Sequence, residues 1–371
     1  MVKWILKIVL IVSVIISASG LLTYYMVENM QTYDVDSYIS GIEILNHKEY
    51  DIKWDNEKDE YNITSNNEEF KVMQLTDIHI GGTKKTEKQD IKAFQAMYKL
   101  VKYAKPDLIV VTGDLVYPDL ATSHSVDNMK SFTMLCDFFE NMGVPWTFTF
   151  GNHDTEGFAL AGPEDINHVT QTYMKCLYQF NDPLGGRTNL FINIRDKDNN
   201  ILQSLVLLDS REYVKNGYDS ISEEQLKWYE KRILELSEEQ GKRVSSMLFF
   251  HIPFQEWNMI YDLYKKGSPD VKYYYGRVGE KNEEICSSKE SNSLLDKIFN
   301  LGSTKAVFVG HDHLNDLSLE YRGVRFTYGK SIDYLAYDGI ENSTYQRGAT
   351  LITIREDSEF EIMPITLSEI I

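Results

Sequence analysis

"VFVGHDHLND", Val307 to Asp316, runs from an apolar stretch through a glycine into two histidines that flank an aspartate. Alone it reads as a strand ending in a solvated turn. The fold turns on whether the chain repeats this pattern, an apolar strand whose carboxyl end carries oxygen and imidazole groups. It does so at "FKVMQLTDIHIG" (70–81), "DLIVVTGDLVY" (107–117), "WTFTFGNHD" (146–154) and "VSSMLFFHIP" (244–253). Helical stretches at Lys88–Ala104 and Val126–Asn141 separate the first of these, as βαβ units require. Further on, 188–210 reads as an antiparallel hairpin. A helix after Ser222 carries Gln225 at the third position of a capping box. A second hairpin falls at "YRGVRF", and closing strands fall near Leu351 and Ile362. The expected class is α/β with mixed sheets, and in open α/β sheets ligands bind at the carboxyl ends of strands.

Five of the eight histidines (His79, His153, His251, His311 and His313) lie in those strand-end motifs. With Asp77, Asp114 and Asn152 they form a donor set suited to two cations. Carboxylates hold hard ions and can bridge a pair, while neutral imidazoles suit iron, zinc or manganese. Alternate residues of an extended "HDH" point the same way, which gives one histidine to each ion. Each piece alone has an ordinary reading. Asp77 with His79 suits a turn or a cap, "GD" is common punctuation after a strand, "GN" suits a tight turn, and His251 suits a core. The argument rests on the ordered set.

Composition sets the outer limits. The 371 residues are 43% hydrophobic and 25% charged, enough for one large domain or two smaller ones. A net charge of -18 excludes nucleic acid as a partner. It permits a small phosphate-bearing substrate if cations sit in the site. Cys136, Cys176 and Cys286 lack zinc-ligand spacing. No partner protein is implied. The uncharged run Ile8–Val27 follows Lys3 and Lys7 and has about the 20-residue length of a bilayer span. Residues 1–30 are therefore expected to be a transmembrane anchor, or a signal peptide cut near "SASG" (17–20). Either way the body is exported, membrane-anchored with an extracytoplasmic domain or secreted. Residues 31–69 read as an acidic spacer with one strand near Ile42, and 70–371 as the folded domain.

In this order, "DIH", "GD", "GNHD", "FFHIP" and "GHDH" resemble the calcineurin-like metallophosphoesterase family, over Phe70–Thr366. "FFHIP", "NSLLDKIFNLGSTKAVFVGHDHLND" and "YGKSIDYLAYDG" are most similar to its branch of short purple acid phosphatase-like proteins. The resemblance implies a four-layer α/β/β/α sandwich with a dinuclear centre of two divalent or mixed-valence ions (manganese, iron or zinc). It implies that Asp77, His79 and His313 hold the first ion, that Asn152, His251 and His311 hold the second, and that Asp114 bridges. His153 would act on the leaving oxygen with Asp154 orienting its ring, and a hydroxide on the metal pair would attack phosphorus in line. Tyr117 has the spacing of the tyrosine ligand of purple acid phosphatases. His79, which those enzymes typically lack, competes for the same role and is preferred.

The segment Gln255–Glu290 is expected to overhang the site, with Tyr274 and Arg277 as substrate contacts. Arg211 and Arg347 are weaker candidates for a phosphate clamp. The implied activity is hydrolysis of small phosphomonoesters, ahead of diesters or lipid-linked pyrophosphates. A non-catalytic anchored binding protein on the same fold is the contrasting class.

Overall fold

The computed structural model describes residues 2–45, 47–180, 184–343 and 345–370. Helix α1 (Val2–Met30) contains the expected span. The side chains of Ile8–Leu10 and Tyr25–Val27 lie outside the described residues, whereas those of Ile11–Tyr24 are all exposed. Among the described residues no helix is long and apolar enough to cross a membrane.

A short helix, α2 (Asp36–Ile39), stands just ahead of the strand expected near Ile42, and Ile42 itself lies in the turn that follows. Asp34 explains the difference. Its carboxylate accepts the N–H groups of Asp36 and Ser37, which starts a helix. Tyr33, Val35 and Ile39 are buried in the main core. The remainder of the acidic stretch forms β1 (Asp51–Asp55) and β2 (Glu60–Thr64), which extend a sheet at its edge.

Next come β3 (Glu69–Leu75), α3 (Glu87–Ala104), β4 (Leu108–Thr112), α4 (Asn128–Met142), β5 (Trp146–Thr149) and α5 (Pro163–Thr170). The hairpin is β6 (Asn189–Arg195) with β7 (Ile201–Leu208), and a small ribbon pairs β8 (Tyr213–Val214) with β9 (Gly217–Tyr218). Helix α6 (Glu223–Gln240) opens with the expected capping box, Ser222 and Gln225 bonding reciprocally. Then follow β10 (Ser246–Phe249), α7 (Glu256–Lys265), β11 (Val271–Tyr275), α8 (Leu294–Leu301) and β12 (Thr304–Val309). The chain closes with β13 (Ser318–Tyr321), β14 (Val324–Tyr328), β15 (Gly348–Arg355) and β16 (Phe360–Thr366).

Two mixed sheets result, ordered β1-β2-β6-β7-β10-β12-β14-β13-β11 and β16-β15-β3-β4-β5. The two-residue period of the strands shows how they stack. In β4, Leu108 and Val110 meet Met247, Phe249, Ala306 and Phe308 of the other sheet in one core. Ile109 and Val111 face the opposite way, among residues of α3 and α4. On the far side, Leu248, Val307 and Val309 pack with α6, α7 and α8. The layers run helix, sheet, sheet, helix.

β3, β4 and β5 are mutually parallel, as are β7, β10, β12 and β14. Their carboxyl ends therefore gather the motif residues. The segment expected as an overhanging lid is largely framework. α7 buries Trp257, Ile260 and Tyr261, and β11 is an edge strand, so only 276–290 reaches the loops at the strand ends.

Candidate metal centre

Each motif residue follows its strand by a few positions. Asp77 and His79 come after β3, Asp114 after β4, Asn152 and His153 after β5, His251 after β10, and His311 and His313 after β12. The structure brings all of them together. Nε2 of His251 lies 3.1 Å from Asp114 Oδ2 and 3.2 Å from Asn152 Oδ1. His79 Nε2 is 3.3 Å from the same Asp114 oxygen. His313 Nε2 is 3.7 Å from Asp77 Oδ1. Asp114 groups with His251 and His311 on one side, and with Asp77 and His313 or with His79 and His153 on the other. The two histidines of "HDH" thus point into different groups. Asp312 between them turns away, accepting from Tyr328 Oη and the Cys286 N–H.

The backbone is bent to achieve this. Asp77, His79, Asp114 and His311 all have positive φ, which costs a non-glycine residue about 1–3 kcal/mol each. Tight bonding holds them there. The N–H groups of Ile78 and His79 donate to Asp114 O, that of His311 to Asp77 Oδ1, and that of His153 to Asp114 Oδ1. Two glycines permit the close approach. A Cβ on Gly151 would fall on the Asp114 carboxylate and main-chain nitrogen, and one on Gly310 would fall on Thr76 Oγ1.

Outer groups set the imidazoles. His251 Nδ1 donates to Thr112 O at 2.8 Å, which leaves Nε2 bare toward the centre. Asp333 Oδ2 does the same for His313 Nδ1, also at 2.8 Å, while its Oδ1 is 3.8 Å from His79 Nδ1. Burial opposes the charge of Asp333, yet the His313 imidazole holds its carboxyl well below the usual range. Burial likewise opposes Asp114, and His251 and His153 outweigh it. Asp333 sits inside "YGKSIDYLAYDG", but nothing in strand periodicity or motif spacing marks it.

The orienting carboxylate differs from the sequence expectation. Asp154 does not hold the His153 ring. Its oxygens accept the N–H groups of Asp114, Leu115, Val116 and Gly151 at 2.7–3.1 Å, tying the second ligand loop to the third. Glu156 takes the expected place, with Oε1 2.5 Å from His153 Nδ1. Tyr213, on the β8–β9 ribbon, donates to Glu156 Oε2 and accepts from Asn152 Nδ2. Burial works to lower the His153 pKa, but Asp114 and Glu156 outweigh it and raise it.

The substrate candidates fare less well. Tyr274 lies in β11, bonded to Glu320 and covered by Arg325, both set back along their strands from the ligand end. Arg277 lies exposed over the Tyr345 ring, with only its main chain bonded to Asp316. Arg347 is buried and donates to the carbonyls of Asp333, Ile340 and Ser343, so it shapes a loop and has no free face for phosphate. Arg211 is paired with Asp219. The Tyr117 ring packs edge-on against His79 and His153.

Cations suit this donor set. Asp77 Oδ2, Asp114 Oδ2, His79 Nε2 and His311 Nε2 are buried and have no hydrogen-bond partner among the described residues. Such orphaned groups are costly unless something binds them. Carboxylate, amide and imidazole donors together suit manganese, iron or zinc.

Comparison with known proteins gives the same direction. The family model described as calcineurin-like phosphoesterase matches residues 70–315. The chain is 28% identical over 302 residues to the probable inactive purple acid phosphatase 14 of Arabidopsis thaliana, covering 72% of this chain and 71% of the relative. It is 27% identical over 288 residues to the phosphatase DCR2 of Saccharomyces cerevisiae, covering 67% of this chain and 45% of that protein. A dimetal phosphatase from Danio rerio shares the fold at TM-score 0.51 and 11% identity, over 80% of this chain and 96% of that one.

Proposed function

We propose, from the premise that this chain belongs to the calcineurin-like phosphoesterase family, that it is a metal-dependent hydrolase of phosphomonoesters. One observation carries the reading: buried, unpaired ligand atoms from the loops after three strands of two sheets face a common centre. Asp77, His79 and His313 would hold one cation, Asn152, His251 and His311 the other, with Asp114 shared. Bound there, the pair would polarise a phosphoryl oxygen and supply an acidified water near neutral pH. Tyr117 is left outside the ligand set, because its contacts are ring contacts with His79 and His153.

This chain's own groups account for the rest of the reaction. His153, raised by its carboxylate neighbours, carries the proton that the leaving oxygen needs. Glu156 fixes that proton's position by holding Nδ1, and Tyr213 fixes Glu156. The same reading places the body outside the cytoplasm, on the strength of Lys3 and Lys7 ahead of an uncharged run.

A second reading comes from the word inactive in the name of the Arabidopsis relative: a binding protein on the same fold. The test is hydrolysis of p-nitrophenyl phosphate and its bis-ester by stripped protein reloaded with manganese, iron or zinc, with Asp114→Asn as the blank. Metal-dependent turnover lost in the variant supports the hydrolase. Folded, metal-loaded protein that cleaves neither ester leaves the binding reading.

A further inference from the structure

The chain passes from α1 into the body beside the loop that follows β3. Gln31 O accepts the N–H of Lys84, in the loop that carries Asp77 and His79. Tyr33 Oη donates to Asp90, whose carboxylate also holds the N–H groups of Gly81 and Gly82. A cavity of about 220 Å³ is lined by Thr32, Gly82, Val126 and Leu160, so Thr32 lies between the loops following β3 and β5. These are two of the ligand-bearing loops.

The loops at this end of the sheets carry several exposed apolar side chains. Phe158 is 83% exposed and Leu160 69%, on the loop that continues from His153 and Glu156. Leu120 stands out from the loop after β4, Tyr213 and Val214 from the ribbon after β7, and Tyr337 from the loop after β14, where it stacks flat on His313. Exposed apolar side chains scattered singly, such as Tyr103 on α3 and Leu234 on α6, are ordinary. Several of them, on loops that leave the same end of the two sheets, mark a contact surface.

The neighbouring helix indicates what covers that surface. From Ile11 to Tyr24, α1 is uncharged and exposed on every face, about 21 Å of apolar helix that the body does not cover. Lys84 and Lys85 are exposed beside the point where the chain arrives, placed to reach lipid phosphates. The same loops and the segment bonded to them carry Glu156, Glu212 and Glu280, which disfavours a strongly anionic surface. We propose that the ligand-bearing loops face a zwitterionic bilayer in which α1 is seated, and that the phosphoester is the headgroup of an amphiphile in that bilayer. The proposal names a substrate class for the hydrolase reading above and rests on it.

The full-length protein, loaded with metal, is placed in phosphatidylcholine vesicles containing a minor fraction of phosphatidic acid. Phosphate release is followed beside cleavage of soluble p-nitrophenyl phosphate. The double variant Phe158→Ser/Leu160→Ser is expected to lose about tenfold or more on the lipid ester and nothing on the soluble ester. Equal loss on both, or on neither, overturns the proposal. Independently of turnover, Phe158→Trp in vesicles with brominated acyl chains is expected to show quenching beyond that of the parent protein. Absence of that extra quenching overturns the lipid-facing surface even in an active enzyme. Inactivity on both esters with quenching present overturns the hydrolase reading and retains the lipid-facing surface.

Discussion

Asp333 offers a sharp way to test how the centre is built. Its Oδ1 is committed to the N–H groups of Leu335 and Ala336 at 2.7 and 2.9 Å, while Oδ2 accepts from His313 Nδ1. In Asp333→Asn the two main-chain donors keep the side-chain oxygen, so the new amide nitrogen must face His313. Two donors would then meet. The imidazole can relieve this only by moving its proton to Nε2, the nitrogen that faces Asp77. That removes the lone pair a cation would use. Loss of such a support costs about 10–100-fold in metal affinity, or roughly 1.4–2.7 kcal/mol. The distance of 3.8 Å from Asp333 to His79 is too long for a second hydrogen bond, so the effect should run through His313. Chelator competition with zinc or manganese measures it, with thermal unfolding of the metal-free protein as the check on folding. One ion is expected to weaken and the other to bind as before. Asp312→Asn is the control, since Asp312 is buried beside His313 but its bonds go to Tyr328 and Cys286. Unchanged affinity in a folded Asp333→Asn protein would refute the reasoning, as would equal weakening of both ions.

Asp114 and Glu156 together raise His153; Glu156→Gln removes the second of these charges and the hydrogen bond to Nδ1, so cleavage of alkyl phosphates should fall about 10–100-fold. Aryl esters, which leave without a proton, should fall far less, and a uniform loss would argue against an acid. Gly151→Ala should lower metal occupancy by displacing Asp114, read by elemental analysis after dialysis; full occupancy would refute the close-packing argument. Arg187 grips both oxygens of buried Asp209 at 2.8 Å and also bonds Glu212, Thr155 and Gly151 O. Arg187→Met strands that carboxylate and should cost about 3–5 kcal/mol in urea unfolding, with Asp209→Leu added to recover part of it. Burial raises Asp90 to about 6, above the value near 3.9 of an unfolded chain. A raised acid contributes its full stability below the lower value and loses it as pH rises through the upper one, about 3 kcal/mol in all. Asp90→Asn should flatten stability between pH 4 and 6, and an unchanged slope would place the shift elsewhere.

The candidate ligands are legible because strand geometry constrains them. A buried strand must be apolar along its length, so the first polar residues after it stand out, and parallel neighbours bring those ends together. Asp77, Asp114, Asn152, His251, His311 and His313 all follow that rule. The supporting groups obey no such rule. Asp154 was the nearer carboxylate to His153 in sequence, but four main-chain N–H groups claim it, which leaves the ring to Glu156. Asp333 lies five residues beyond β14 and reaches His313 from a loop held by the buried Arg347 guanidinium and by the Ile332 N–H on Thr76 O. That most of 255–290 is framework is also signalled in the sequence. Trp257, Ile260 and Tyr261 have the spacing of one buried helix face, and "KYYYG" is rich in the aromatic residues that strands favour. The set of candidate ligands is thus fixed by where strands stop, which a sequence records directly. The choice among nearby carboxylates is fixed by which donors each one meets, and that exists only once the loops have closed.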